Sequence, residues 1–429
     1  MSRFRLIISF AIIASTLFMC GCVTDGRPSA TPYDVSLPGT TSIPPAQSPG
    51  MDAANLPEPV TRFRAACMEY LNLREAPSPD AKAIGKVYKG AEVELLGYQE
   101  KFAHIRDARS GMEGYILAGY LVPDEGALGL EIVKPVLAYT YERMLEDIEA
   151  LRKRYPERVR VESMGKSSEG RDIPVVIIGD SSAERHLFIQ AAIHAREHMT
   201  AQLAVSQIEY YLKYQYDETA CVHVAPMTNP DGCAISQRGV YTDKLRDIYE
   251  KDQERGFADD SGAEYLYRWK ANANGVDLNR NFDAKWDSVR TRPAASSANY
   301  RGPRPESEPE TLALVNYTKR NSFGATISYH AFGSLIYYEF GQNSPTNEIS
   351  RKLALMISAI TGYPVEGDTG TSFGGYKDWA IQAMGIPSLT VEIGTRSAPL
   401  PVEEFYTIFL RNREVIPEAL MWLKRTEAQ

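Results

Sequence analysis

Two apolar runs constrain this chain more than any other feature. Val175–Ile178 is continuous, and Leu187–Ile193 is broken only by Gln190. A strand with one wet face alternates apolar and polar residues, so runs without alternation read as strands covered on both faces. Such strands form the middle layer of an α/β domain. Helical patterns flank them. Met144, Ile148 and Leu151 recur three or four apart within Tyr141–Tyr155, and the same period returns between Met199 and Leu212. Residues 138–425 are therefore expected to form a three-layer α/β domain. The chain has 429 residues, too many for one ordinary domain, and 44% are hydrophobic, too many for wholesale disorder. Its formal charge of -8 argues against nucleic acid as a partner. Five Cys are too few to staple a chain of this length. Beyond the N-terminus no apolar run reaches about 18 residues, which excludes a polytopic helical membrane protein.

The N-terminus reads as an address. Arg3 and Arg5 precede the largely apolar stretch Leu6 to Met19, which is short for a bilayer span but suits the core of an export signal. It ends in Met19-Cys20-Gly21-Cys22. Small residues running into a Cys resemble a bacterial lipoprotein box. The resemblance implies a signal peptide over 1–21, lipidation of Cys22, and an exported chain anchored to a bacterial membrane in the cell envelope. A plain secretory signal would also take it out of the cytoplasm. From Val23 to Val60, eight of 38 residues are Pro, amid Ser, Thr, Ala and Gly. That composition buries too little apolar surface to offset its ordering entropy, so 22–60 reads as a disordered, Pro-stiffened tether.

Residues 61–123 change character again. Short alternating runs, Tyr70–Arg74, Gly85–Val87, Glu92–Leu96 and Gly114–Ile116, are separated by turn residues. This reads as a small barrel of short strands. Leu71-Asn72-Leu73-Arg74 with Ala76-Pro77-Ser78, the Lys89-Gly90 turn, Gly114-Tyr115-Ile116 and Tyr120-Leu121 resemble the bacterial SH3 family, with Phe102 where that family often has Trp. The resemblance implies a module that binds the cell wall or a partner. A linker over 124–137 is expected to follow.

The second apolar run ends in His194-Ala195-Arg196-Glu197-His198. A His and a carboxylate three apart, where a strand enters a helix, can converge on one metal ion, though the same letters also suit a solvated helix start. His198 makes the segment His-x-x-Glu-His as well, the pattern of zinc peptidases that use both His as ligands and the Glu as base. Local sequence leaves all three readings open. Further motifs follow in order: Thr228-Asn229-Pro230-Asp231-Gly232, Gly275 to Phe282, Ser307-Glu308-Pro309-Glu310-Thr311, Ser328-Tyr329-His330 and Leu389 to Ile393. In this order and spacing they resemble the zinc carboxypeptidase family. That resemblance implies a mixed eight-stranded sheet flanked by helices and one Zn2+ per chain. It places His194, Glu197 and His330 as zinc ligands and Glu392 as general base. It makes Asn279 and Arg280 a clamp for a substrate carboxylate, gives Arg196 a substrate contact, and suggests Arg268 for the oxyanion, with Lys270 competing.

Other residues bear on the substrate. The mobile Tyr of digestive members would fall on Gly370 here, and Lys377 occupies the position that sets side-chain preference, where a cation would favour an acidic group. Arg268-Trp269-Lys270-Ala271-Asn272, Tyr329 to Gly333 and Ile336 to Gly341 resemble the bacterial γ-D-glutamyl-L-diamino acid peptidases. The expected function is hydrolysis of peptidoglycan stem peptides at a γ-D-glutamyl-diamino acid bond. The alternatives are a carboxypeptidase of ordinary L-peptides and a non-enzymatic wall-binding lipoprotein. The charged segment Tyr241 to Leu266 reads as a solvated helix or a substrate-restricting flap. Cys221 and Cys233, flanking the Asn-Pro-Asp-Gly turn, could pair outside the cell.

Overall fold

The computed structural model describes residues 62–427, except 66, 68, 100–101, 118–119, 124–127, 137, 259–260, 342–343, 368–369 and 371. The expected export signal, the expected lipidation site Cys22 and the expected tether lie outside the described residues. The first folded part is an antiparallel, SH3-like β-barrel sheet. Its strands are β1 (Arg62–Ala65), β2 (Tyr70–Arg74), β3 (Ala83–Tyr88), β4 (Glu92–Gln99), β5 (Phe102–Asp107), β6 (Glu113–Leu117) and β7 (Leu121–Pro123), in the order β3-β2-β6-β5-β4-β1-β7. Period-two alternation turns Leu73, Val87, Val93, Ile105 and Ile116 into one small core.

The large domain carries a mixed eight-stranded sheet. It comprises β8 (Val159–Lys166), β9 (Asp172–Gly179), β10 (His186–Gln190), β11 (Cys221–Ala225), β12 (Phe323–Ala331), β13 (Leu335–Tyr337), β14 (Val365–Glu366) and β15 (Ser388–Ile393). Their order is β14-β13-β15-β12-β10-β11-β9-β8. The central strands β11, β10, β12 and β15 run parallel. β9 runs against β11, β8 against β9, and β13 against β15. The unbroken apolar runs are explained directly: Val175 and Ile177 pack on one sheet face, Val176 and Ile178 on the other.

The helices are α1 (Tyr141–Arg154), α2 (Met199–Tyr210), α3 (Pro230–Arg238), α4 (Asp243–Glu254), α5 (Gly262–Tyr267), α6 (Pro309–Arg320), α7 (Pro345–Thr361), α8 (Tyr376–Met384), α9 (Phe405–Asn412) and α10 (Val415–Glu427). One face of the sheet is covered by α1, α2, α7, α9 and α10, the other by α6 and α8. Thr140 caps α1 by accepting the Arg143 N–H, and its Met144, Ile148 and Leu151 are buried. Every residue of α2 is buried, so its polar side chains need internal partners. Gln207 donates to Tyr329 Oη at 2.8 Å and to the Asn412 carbonyl at 2.6 Å.

The structure bears on three further readings. The linker placed at 124–137 is docked from Leu128 onward: Leu128, Leu130 and Val133 join the large domain's core. There the Glu209 carboxylate on α2 accepts the N–H groups of Glu131, Ile132 and Val133. Cys221 and Cys233 are both buried free thiols. They do not pair because Cys221 packs on the α6 side of the sheet and Cys233 in the core on the opposite side. The charged insertion Tyr241 to Leu266 includes α4, solvated along its outer face as the solvated-helix reading expects and packed along its inner face. Leu245, Ile248, Tyr265 and Leu266 pack with Ala195 and Trp269, and Asp252 is buried under Tyr265, Ser296 and Arg292.

Candidate active site

Successive chain returns place β11 on one side of β10 and β12 on the other, and ligands of open α/β sheets bind at the carboxyl ends around such a switch. A cleft of about 420 Å³ lies there, lined among others by His194, Glu197, Lys270, Arg280, His330 and Glu392. His194 follows β10 and precedes a 3-10 turn, Ala195–Glu197. Residues three apart eclipse in such a turn, which brings Glu197 over His194. Upstream, Ala192 takes φ 49°, a conformation L-residues adopt at a cost. It is held by Thr200 Oγ1, which accepts its N–H, and by Asn229, which donates to its carbonyl.

His330 comes from β12, where it pairs with Glu392 on β15. His194 Nδ1 lies 2.9 Å from Glu197 Oε1 and 3.1 Å from His330 Nδ1, and His330 Nδ1 lies 3.2 Å from Glu197 Oε2. Two donors bound tetrahedrally to one zinc ion lie about 3.3 Å apart, so this triangle has the spacing that ion requires. Behind it, His194 Nε2 faces Asp277 Oδ1 at 3.3 Å, an outer carboxylate that fixes the ring. Lys270 Nζ pairs with Asp277 Oδ2 at 2.9 Å.

Charge in this site follows from burial and close pairing. Burial favours the neutral form of Glu197, but His194 and His330 hold its carboxyl far below the usual range. Asp277 is likewise held low by Lys270 and His194 against its burial. Burial opposes a charge on His330, yet its contact with Glu197 raises it. Glu392 goes the other way. Burial pushes its carboxyl up to about 7, Glu197 adds to the rise, and His330, Lys270 and Arg280 oppose it. His198 is buried and pushed down to about 4 by that burial.

Arg268 does not reach the cleft. It is the C-cap of α5 and its Nε donates to Glu264 Oε1 at 2.7 Å, one helical turn back on the exposed face. Lys270, two residues on, turns inward and lines the cleft. Arg196 lines the rim, with its Nη1 donating to the Arg268 carbonyl at 3.5 Å. Asn279 and Arg280 also line the cleft. Asn279 Oδ1 accepts the Tyr376 N–H at 2.9 Å, and Arg280 Nη1 donates to the Asn279 carbonyl at 2.8 Å. Gly374, at φ 76°, allows the close approach: a Cβ there would sit 2.8 Å from the Arg280 carbonyl oxygen. Lys377 lines the cleft with its ammonium on the Glu339 carbonyl at 2.6 Å and Asp378 Oδ1 at 2.7 Å. Tyr376 is buried and hydrogen-bonds Thr318, so it faces the core.

The motif residues without an assigned role prove to be braces. Asn229 donates to the carbonyls of Ile193 and Ala271, each at 3.1 Å, buckling the His194 loop to the Lys270 loop. Asn272 is held by Glu308 and Glu310 of the Ser-Glu-Pro-Glu segment at 2.8 and 3.1 Å. Asp277, within the Gly275 to Phe282 motif, is the carboxylate that stands behind His194 at 3.3 Å.

The zinc carboxypeptidase family pattern matches residues 144–420. The chain belongs to that family. Zinc carboxypeptidases use zinc, and the His194, Glu197 and His330 group offers three buried donors that fit the ion; the chain is a zinc metallopeptidase. The bacterial SH3 domain pattern matches residues 69–122. Gamma-D-glutamyl-L-diamino acid endopeptidase 1 of Lysinibacillus sphaericus is 30% identical over 287 residues, covering 63% of this chain and 69% of that protein. Carboxypeptidase A2 of Rattus norvegicus is 24% identical over 303 residues, 66% of each chain. Among solved structures, carboxypeptidase A from Helicoverpa armigera aligns with a TM-score of 0.54 at 20% identity, covering 70% of this chain and 76% of that one. At that identity the likeness speaks to the fold.

Proposed function

We propose that this zinc peptidase is exported, lipid-anchored through Cys22 to a bacterial membrane, and hydrolyses peptidoglycan stem peptides at a γ-D-glutamyl-diamino acid bond. The observation that carries the substrate is the mixed charge of the cleft. Arg280, Lys377 and Glu339 line it together with Glu392. A diamino acid residue presents both carboxylate and ammonium, so a cleft with both signs suits it better than an apolar side-chain pocket would. The bacterial relative named for γ-D-glutamyl-L-diamino acid cleavage supports the same reading. The SH3-like barrel would then hold the enzyme to the wall it cuts.

In this reading His194, Glu197 and His330 hold one zinc ion, which when bound supplies a Lewis acid that acidifies water and polarises a carbonyl. Glu392 takes the attacking water's proton and passes it to the leaving amine. Lys270 presents a positive charge toward the oxygen that becomes negative as the carbonyl is attacked. Arg280, with Asn279, grips the substrate carboxylate through paired hydrogen bonds, and Arg196 meets the substrate at the rim. Lys377, its ammonium held by Asp378 and the Glu339 carbonyl, lines the pocket that meets the charged side chain. The test is a direct competition between the γ-D-glutamyl-diaminopimelate tripeptide and ordinary L-peptides of the same length. Cleavage of the first at the glutamyl bond is expected; release of residues only from the L-peptides would establish the plain carboxypeptidase instead.

A further inference from the structure

A second set of metal-ligating side chains lies on the same sheet, outside the cleft. His186 opens β10, and Cys221 and His223 lie on the neighbouring strand β11. Phe188 pairs with His223 across the parallel ladder. Residues two apart in a strand share a face, so His186, Cys221 and His223 all point to the α6 side, where Cys221 packs with Phe188 and Tyr317. All three are buried, and their donor atoms lie within 4.8 Å of one another.

The two imidazoles are aimed at each other. His186 Nδ1 lies 3.0 Å from His223 Nε2. Two lone pairs at that distance repel, so in the metal-free chain one proton sits between them. The far side of His223 is fixed as well. Its Nδ1 lies 2.6 Å from Tyr317 Oη, and the Glu162 carboxylate is placed to accept from that same hydroxyl. That contact engages Nδ1 and leaves Nε2 as the ring nitrogen that faces His186. Outer hydrogen bonds of this kind set the tautomer of metal-ligating histidines.

We propose that His186, Cys221 and His223 form a second metal site, distinct from the catalytic one, for a thiophilic ion of the zinc class. Two imidazoles and a thiolate are a borderline-to-soft donor set, which disfavours Mg2+ and Ca2+. The ion takes the place of the hydrogen between the imidazoles, which moves to the outer nitrogen of its ring, and displaces the Cys221 thiol proton to solvent. Asp180 and Arg160 act on His186 with opposite signs, and burial pushes the Cys221 thiol up to about 12, so the ion itself draws off that proton. The bound ion ties β10 to β11 at the opposite end of β10 from His194. The five residues of β10 alone separate the two sites by roughly 13 Å. An enclosed site of this kind serves the fold rather than the hydrolysis.

The test uses the full chain with its catalytic zinc in place, given one equivalent of Co2+. The cleft group contains two imidazoles and a carboxylate but no sulfur, so a thiolate-to-cobalt charge-transfer band in the near ultraviolet reports the second site. The wild-type chain should show the band, and dialysis against zinc should leave two ions per chain. Cys221→Ser should lose the band and the second ion, whereas Cys233→Ser keeps both. His186→Asn, at the start of β10, is the second variant, and should weaken cobalt uptake at least about tenfold while peptide hydrolysis persists. A wild-type chain without the band overturns the proposal, as does a band that survives in Cys221→Ser.

Discussion

Glu392 shares the cleft with Glu197, and two carboxylates in one low-dielectric pocket cannot both ionise easily. Burial and that repulsion raise Glu392 to about 7 in the metal-free chain. A bound cation acts in the opposite direction, so the zinc-loaded enzyme should have its acid limb below that value. Only the ionised carboxylate accepts a proton; kcat/KM must therefore fall as pH drops through this pKa. Glu392→Gln should lower kcat by roughly 10²–10⁴-fold with zinc content unchanged. Undiminished turnover in that variant, or an acid limb well above neutrality in the wild type, would assign the base elsewhere. A second residue-scale outcome separates Lys270 from Arg268. Lys270→Gln should cost roughly 10²–10³-fold in kcat, the size of a lost oxyanion donor, and Lys270→Arg should recover part of it. Arg268→Gln, on the exposed face of α5, should change kcat less than about twofold. The reverse ranking would restore Arg268 as the oxyanion residue. Sequence could not choose between them, because the choice depends on where α5 ends: Arg268, its C-cap, faces solvent, and two residues later the chain has turned inward.

At the scale of elements, legibility tracks how locally each is determined. β9 and β10 could be read as buried strands because both faces demand apolar residues. The helix α1 announced itself through its 3.6-residue period and the Thr140 cap. β5 of the barrel escaped notice, since Ala103 and Ile105 are a thin inward set and His104 and Arg106 dominate the run. The segment after Leu128 reads as a linker in the sequence because its partner, Glu209, lies far along the chain and inside a helix that is buried throughout. The braces Asn229, Asn272 and Asp277 stood in plain view within motifs, but their roles depend on contacts between loops. The Glu209 anchor can be tested on its own. Glu209→Gln replaces one acceptor oxygen by a donor, leaving a buried N–H of the 131–133 segment without a partner. That should destabilise the chain by about 1–3 kcal/mol, read as a lower urea midpoint, with kcat/KM on a soluble peptide unchanged. An unshifted midpoint would mean that the segment is held by Leu128, Leu130 and Val133 alone.

For the molecule as a whole, the question is why a small barrel accompanies a complete peptidase. In the proposed function the bond lies within an insoluble mesh and meets the enzyme at a local concentration set by how long the enzyme stays beside it; a linked binding module raises that concentration without touching the chemistry. The barrel has a surface suited to such a task. Tyr70 and Tyr88 pair across β2 and β3, are 37% and 58% exposed, and lie 6.1 Å apart between ring centres. Lys86 sits 3.7 Å over the Tyr70 ring. Exposed aromatic faces beside a cation suit sugar rings and carboxylated peptides alike. None of these residues lines the cleft. Tyr70→Ser combined with Tyr88→Ser should therefore reduce co-sedimentation with insoluble peptidoglycan, and the initial rate of its digestion with it. Cleavage of a soluble stem tripeptide should be unaffected. Equal losses on both substrates would mean that the change disturbs the fold, and equal retention would move the wall contact away from this face of the barrel.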